Sequence, residues 1–212
     1  MSEIKNYTSH SGGCKGADMF WETEGLKYGV SSIAYSYHNH VQYGYNQKIL
    51  NADELKEGWE NVMIAEKSLR RDLRITQSFY VRNLVSRNWF QVKNSEAVFA
   101  ISTFLNNAHT QVNGGTGWAV QMGIDNNKPV FFFDQLICKW FEYDYTQRKF
   151  IELGGIPTLT ENFAGVGSAM LNEDGENAIR EIYNKYFAPK MNDEYKGKAF
   201  ICIWDPNATW VT

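Results

Sequence analysis

The 212-residue sequence lacks the features of secreted, membrane and disordered proteins. Its three cysteines, Cys14, Cys138 and Cys202, are far apart, which excludes a disulfide framework and indicates a reducing compartment. No apolar run approaches the roughly 18 residues that cross a bilayer, and the polar N-terminus has no signal-peptide pattern. Only four prolines and no low-complexity tract argue against long disordered linkers. We therefore expect a cytoplasmic protein with no membrane partner.

An excess of one charge is also missing. The 21 Lys and Arg residues are set against 24 Asp and Glu, for a formal charge of −3. This balance provides no broad basic surface, so we expect no nucleic-acid partner, and any anion must be bound locally. His38 and His40 form a His-x-His pair, but no nearby carboxylate or cysteine completes a ligand set. We therefore predict no metal site.

Hydrophobic patterns and turn residues indicate alternating strands and helices. The predicted strands cover 7–11, 31–37, 97–104 and 130–133. There are four predicted helices before residue 130: one begins near Asp18, one runs from Asn51 to about Arg71, and the others cover about 78–92 and 116–125. This alternation predicts one α/β domain, 1–212, with a mainly parallel sheet and a core of about 7–134. The C-terminal extension, 135–212, contains a hairpin (139–143 and 149–153), a helix (173–187) and a tail segment (199–204).

Two glycine-rich loops each join a predicted strand to a predicted helix. The first spans Ser11 to Asp18, and the second spans Asn113 to Gln121. Glycine adopts positive φ without strain, and the missing Cβ lets backbone N–H groups approach a ligand. Such groups bind anions at a helix N-terminus, and loops after parallel strands converge on one crevice. We therefore predict phosphate binding, although neither loop has the Walker A or dinucleotide-fingerprint spacing, which argues against an NTPase or an ordinary NAD oxidoreductase.

The order of these motifs resembles a known superfamily. The motifs are Gly12-Gly13-Cys14-Lys15-Gly16-Ala17-Asp18, then Arg87-Asn88-Trp89-Phe90-Gln91-Val92, then Gly114-Gly115-Thr116-Gly117. They are similar to the SLOG superfamily of Rossmann-like nucleotide-binding domains, which is related to the LOG and DprA proteins. The order most resembles the circularly permuted YpsA-like branch, which includes proteins described as molybdenum cofactor carriers. The resemblance implies a Rossmann-like three-layer sandwich, a phosphorylated nucleotide-like ligand at the loops, and a homodimer or higher homo-oligomer.

The same superfamily contains the LOG phosphoribohydrolases, which cleave a base from a nucleoside monophosphate. They use an upstream arginine and a glutamate within a PGGxGTxxE motif. When that motif is laid on Gly114 to Gly117, this sequence has Asn113 in place of the proline and Gln121 in place of the glutamate. A glutamine can neither act as a carboxylate base nor stabilise an oxocarbenium ion by charge. This difference counts against LOG-type hydrolysis.

Several side chains near the loops have both structural and functional interpretations. The Asp18 carboxylate is stabilised by the helix dipole, binds a ribose hydroxyl, or replaces the catalytic carboxylate that is missing at Gln121. Arg87 either serves its own helix end or clamps a phosphate, with Asn88 beside it. Trp118 either packs in the core or stacks on a base.

The interpretation that we favour is a sensor or binding protein for a nucleotide or nucleotide-derived phosphorylated molecule. One alternative is an N-glycosidase acting on nucleoside monophosphates, with Asp18 and Arg87 as catalytic residues; another is a carrier of a molybdopterin-type cofactor. The predicted ligand-binding residues are Ser11, Gly12, Gly13, Lys15, Gly16, Asp18, Arg87, Asn88, Ser102, Thr103, Gly114, Gly115, Thr116, Gly117, Trp118 and Gln121.

Overall fold

The computed structural model describes residues 6–41, 43–71 and 78–187. Within these ranges the strands are β1 Thr8–Ser11, β2 Ser31–Tyr37, β3 Gln47–Leu50, β4 Ala97–Ser102, β5 Val130–Asp134, β6 Lys139–Asp144, β7 Lys149–Glu152 and β8 Asn162–Gly167. The helices are α1 Ala17–Leu26, α2 Ala52–Leu69, α3 Phe79–Ser86, α4 Asn88–Lys93, α5 Thr116–Asp125 and α6 Glu173–Phe187. None of these helices is long and apolar enough to cross a membrane.

The described strands form one sheet of eight, in the order β3-β2-β1-β8-β4-β5-β6-β7. The strands from β3 to β5 in this order pair in parallel, whereas β6 and β7 form an antiparallel hairpin at one edge. The hairpin predicted near residues 139–153 is therefore confirmed, as is the mainly parallel sheet.

Strand β4 separates two layers of helices. All six of its residues are buried. Val98 and Ala100 belong to one apolar cluster, which includes residues of α2, α3, α4 and α5, while Phe99 and Ile101 belong to a second cluster with α1 and α6. Because successive strand residues point to opposite faces, the two clusters lie on opposite sides of the sheet. The predicted Rossmann-like three-layer sandwich is confirmed.

The helix ends follow local sequence signals in one case and differ from the prediction in another. Asn51 caps α2 as expected: its side chain accepts from the Glu54 N–H at 2.9 Å, and Glu54 Oε2 accepts from the Asn51 N–H at 2.8 Å. The single helix predicted over about 78–92 is instead α3 and α4, with Arg87 between them. There the Phe90 N–H donates to the Arg87 carbonyl, three residues back rather than four, which tightens the turn.

Strand β8 was not predicted, although it lies between β1 and β4 near the middle of the sheet. Gly165 and Gly167 within it favour a turn when only the sequence is considered. In the structure they let α1 pack closely: a Cβ on Gly165 would lie 2.7 Å from Trp21 Cγ, and one on Gly167 would overlap with Ala17. The sheet thus extends beyond the core boundary expected near 134. Strand β3 was also not predicted, and the tail segment 199–204 lies outside the described residues.

Candidate functional site

A cavity of about 500 Å³ opens at the carboxyl ends of the parallel strands. Ser102 at the end of β4, Gln135 just after β5 and Gly167 at the end of β8 all line it. The loop after β1 contributes Cys14, and the first turn of α1 contributes Asp18. Loops at this edge of a parallel sheet form the usual ligand crevice of open α/β folds.

Half of the predicted ligand-binding residues line this cavity. These are Asp18, Arg87, Asn88, Ser102, Thr103, Gly114, Gly115 and Thr116. The structure therefore brings together the second glycine loop, the end of β4 and the junction of α3 with α4. The other predicted residues, which do not line the cavity, are Ser11, Gly12, Gly13, Lys15, Gly16, Gly117, Trp118 and Gln121.

Backbone N–H groups of the first glycine loop face a side chain of the protein itself. The Gly167 N–H donates to Asp18 Oδ1 at 3.1 Å, and the N–H groups of Gly12 and Cys14 face the same carboxylate. Backbone donors of this loop are therefore already engaged by a side chain of the protein. The Asp18 carboxyl group thus occupies donors that the sequence assigned to a phosphate, and phosphate binding at 12–16 stays a prediction.

Other residues of the first loop also pack against the protein itself. Ser11 Oγ accepts from the Gly13 N–H at 3.1 Å and donates to the Asp18 carbonyl at 3.3 Å. Gly16 has a φ of 97°, and a Cβ there would lie 2.7 Å from Ala169 Cα. Gly16 therefore lets the loop approach the segment after β8, while Ser11 fixes the shape of the loop itself.

Arg87 is the most deeply buried cation of the site, with 3% of its surface exposed. Its Nη2 donates to Cys14 Sγ at 2.9 Å and lies 3.9 Å from Asp18 Oδ2. Its Nε and Nη1 have no hydrogen-bond partner among the residues that the structure describes. Buried polar groups are normally hydrogen-bonded, and these two nitrogens are among twelve buried side-chain N and O atoms that have no partner within the described residues.

Burial also governs the ionisation of the groups around Arg87. It raises the pKa of Asp18, while the Arg87 guanidinium and the backbone donors act in the opposite direction. Burial likewise raises the pKa of the Cys14 thiol, and Arg87 again opposes it. A raised pKa disfavours the thiolate, so Cys14 has the character of a packed thiol rather than a nucleophile.

The second glycine loop directs backbone N–H groups out of the start of α5. The carbonyl oxygens of Gly114 and Gly115 accept from N–H groups of α5 at 3.3 and 3.2 Å, so they point into the helix. Because C=O and N–H point in opposite directions across a trans peptide, the N–H groups of Gly115 and Thr116 point outward. Arg71 Nη1 donates to the Gly114 carbonyl at 3.2 Å. This loop has the geometry of an anion site at a helix N-terminus.

The remaining predicted residues have structural contacts. Trp118 is buried in the apolar cluster on the α5 face of the sheet, as its core interpretation predicted. Gln121 Nε2 donates to Asp125 Oδ1 at 2.9 Å, away from the cavity. A Cβ on Gly117 would overlap with the Val112 carbonyl, so this glycine allows close packing, and Lys15 is exposed.

Four polar lining residues were not among the predicted ligand-binding residues: Gln91, Asn113, Gln135 and Ser168. Gln91 is 1% exposed, and its Nε2 has no hydrogen-bond partner within the described ranges. Gln135 joins two loops, because its amide bonds the Met170 carbonyl at 3.3 Å and the Asn172 N–H at 2.9 Å. The spacing of Gln91 four residues after Arg87 is the signal that could have identified it, since such residues share a helix face.

The two histidines considered as metal ligands, His38 and His40, do not line the cavity. His40 stacks on Tyr37 with ring centroids 4.7 Å apart and bonds Ser36 Oγ at 3.0 Å through Nδ1. Burial and the Arg87 charge lower the pKa of His40 to about 4, so the ring is neutral near pH 7. Across residues 6–41, 43–71 and 78–187, no group of three His, Cys, Asp or Glu side chains is placed to hold a metal ion.

Comparisons with known proteins show fold similarity only at a low level. No protein-family model matches the sequence, and no curated protein matches it. One solved structure is similar, that of a "Putative molybdenum carrier protein" from Syntrophus aciditrophicus SB, with 13% identity and a TM-score of 0.45. The similarity covers 85% of this chain and 94% of that chain. At this level it transfers neither a ligand nor an activity to the present chain.

Proposed function

We propose that the protein binds a nucleotide or a nucleotide-derived phosphorylated small molecule in the cavity between α4, α5 and the ends of β4 and β8. Its phosphate lies between Arg87 and the N-terminus of α5. The observation that carries this proposal is the buried Arg87 guanidinium, whose Nε and Nη1 have no partner among the described residues.

The charge of Arg87 favours an anionic ligand. A buried charge is costly unless it is paired and hydrogen-bonded, and the nearest Asp18 oxygen is 3.9 Å away, which is beyond hydrogen-bond distance. Asp18 therefore does not satisfy the donors of the guanidinium, and burial disfavours the charged form of its carboxyl group. A phosphate supplies charge and acceptor oxygens together, and the planar guanidinium can bind two of those oxygens side by side.

The N-terminus of α5 supports the same ligand. Gly115 and Thr116 line the cavity and present N–H groups without an acceptor inside the helix. Asn88, which follows Arg87, donates from its Nδ2 to the Gly115 carbonyl at 3.4 Å, which joins the start of α4 to the start of α5. The cavity volume of about 500 Å³ is within the range of small-molecule sites.

The arrangement favours binding over cleavage of a glycosidic bond. Glycosidases need a carboxylate that is free to act on the substrate. Asp18 is 5% exposed and faces backbone donors of the first loop and of β8, and Gln121 bonds Asp125 outside the cavity. We therefore favour a binding or sensing role over an N-glycosidase. A molybdopterin-type cofactor also contains a phosphate and belongs to the same class of ligand.

Calorimetric titration tests this proposal. Nucleoside monophosphates should bind to the wild-type protein and the matching nucleosides should bind far more weakly. Arg87→Lys keeps the charge but loses the planar fork, and we expect an affinity loss of about 10- to 100-fold, because a hydrogen bond to a charged group contributes about 1.5–3 kcal/mol.

Arg82→Gln is the matched control, since this arginine stacks on the Trp59 ring at 4.2 Å and lies outside the cavity lining. It should bind like the wild type. Equal affinities for nucleotides and nucleosides, or release of free base during the titration, would count against the proposal. Mass spectrometry of the native and denatured protein would identify a retained ligand and show whether the predicted homodimer forms.

A further inference from the structure

Gln91 is a buried donor that the phosphate contacts described so far do not use. Its side chain is 1% exposed, lines the cavity and has an Nε2 without a hydrogen-bond partner in the described part of the chain. In Gln135, another glutamine of the cavity, both ends of the amide are hydrogen-bonded to the segment between β8 and α6. An amide that is buried without a partner destabilises the protein, so its position needs a ligand or another reason.

The spacing of Arg87 and Gln91 predicts that they form one donor surface. They are four residues apart, and Arg87 keeps helical dihedral angles (φ −64°, ψ −25°) as the chain passes into α4. Residues at this spacing share a helix face. Both side chains line the cavity.

The chemistry of this surface consists of donors. Arg87 Nε provides one N–H, Arg87 Nη1 provides two, and Gln91 Nε2 provides two. Asp18 is the one Asp or Glu in the described lining of the cavity, and it faces backbone donors. A ligand group that satisfies these donors must therefore offer many lone pairs and no proton.

We propose that Gln91 is a ligand-binding residue that, together with Arg87, makes the site select a tetrahedral oxyanion over a planar carboxylate. This inference rests on the proposed function. A tetrahedral phosphate presents oxygens in several directions, so one oxygen can bind the amide while others bind the guanidinium and the α5 backbone. A carboxylate has two oxygens in one plane and leaves part of this donor surface unsatisfied.

Inorganic phosphate and acetate are the probes of choice, because they differ in shape and need no assumption about the base. In a nitrogen–proton NMR titration, the Gln91 side-chain amide signal, assigned by its absence in Gln91→Met, should shift with added phosphate. It should saturate together with the Arg87 Nε–H signal. Acetate should produce the same shifts only at about tenfold higher concentration or above.

The Gln91→Met variant separates binding from folding. Methionine is apolar and similar in size to glutamine, and the Gln91 Nε2 has no partner to lose among the described residues. The melting temperature of Gln91→Met should therefore be close to that of the wild type. Phosphate affinity should fall about tenfold, as for one lost hydrogen bond to a charged group. Gln147→Met, in the exposed turn between β6 and β7, is the control and should bind phosphate like the wild type.

The possible outcomes test the role of Gln91, the selectivity for phosphate and the phosphate site separately. If the Arg87 signal shifts while the Gln91 signal and the Gln91→Met affinity do not change, the role of Gln91 is refuted and the proposed function stands. If acetate binds as tightly as phosphate, the selectivity is refuted. If neither signal responds to phosphate, the phosphate site itself is refuted.

Discussion

The substitution Gly12→Ala tests whether Arg87 is held where the proposed function needs it. Gly12 lies outside the positive-φ region, so alanine adds no backbone strain there. An added Cβ would overlap with Arg87 Nη1 and lie 2.5 Å from Asp18 Oδ2, about 0.9 Å short of ordinary contact at 3.4 Å. Both atoms are ends of side chains that line the cavity, so the overlap is relieved by shifting them from their present positions.

The expected cost follows from this geometry. Overpacking a well-packed site costs about 1–3 kcal/mol. We expect about 1–2 kcal/mol for Gly12→Ala, which lowers the melting temperature of a chain of this size by about 2 to 8 °C. Thermal unfolding followed by circular dichroism measures the shift, and calorimetry should show at least a tenfold loss of nucleotide affinity as the guanidinium is displaced.

Gly155→Ala is the matched control, because no atom lies within 4 Å of a Cβ built there. It should melt and bind like the wild type. If Gly12→Ala also melts like the wild type, Arg87 and Asp18 do not pack against this glycine as described. If Gly12→Ala is destabilised but binds nucleotide normally, Arg87 does not hold the phosphate.

Two further predictions concern Glu22 and Arg71. Burial raises the pKa of Glu22 above its ordinary value of 4.5, so the charged form destabilises the folded state, and stability falls as pH rises from 4.5 through the folded pKa. Glu22→Gln should therefore raise the melting temperature at pH 7 and equal the wild type below pH 4.5; a lower melting temperature at pH 7 would contradict this. Arg71→Met removes the bonds to the Gly114 and Val112 carbonyls and should weaken nucleotide binding about tenfold without touching the ligand; unchanged affinity would refute a positioning role.

The fold was predictable where the sequence carries local signals. The apolar run at β4, the N-cap at Asn51 and the glycines before α5 each have a periodicity or a turn residue that defines the element. Strand β8 has no such signal. Gly165 and Gly167 allow the close approach of α1, and this tertiary contact leaves no local pattern in the sequence. Its place between β1 and β4 depends on pairing across more than 60 residues of sequence.

The candidate site was predicted in part. The sequence identified Arg87, Asn88 and the second glycine loop, because charge, amide and glycine types point to an anion site. It could not show that the Asp18 carboxylate engages backbone donors of the first loop, since two glycine loops with similar composition have different neighbours in space. It also could not separate Gln91, which lines the cavity, from Gln121, which bonds Asp125.

A crystal structure of the protein with a nucleoside monophosphate at saturating concentration is the most direct test of the phosphate site. The phosphate oxygens should lie within hydrogen-bond distance of Arg87 Nε or Nη1 and of the N–H groups of Gly115 and Thr116. A phosphate bound elsewhere, with Arg87 still lacking a partner for both nitrogens, would contradict the account.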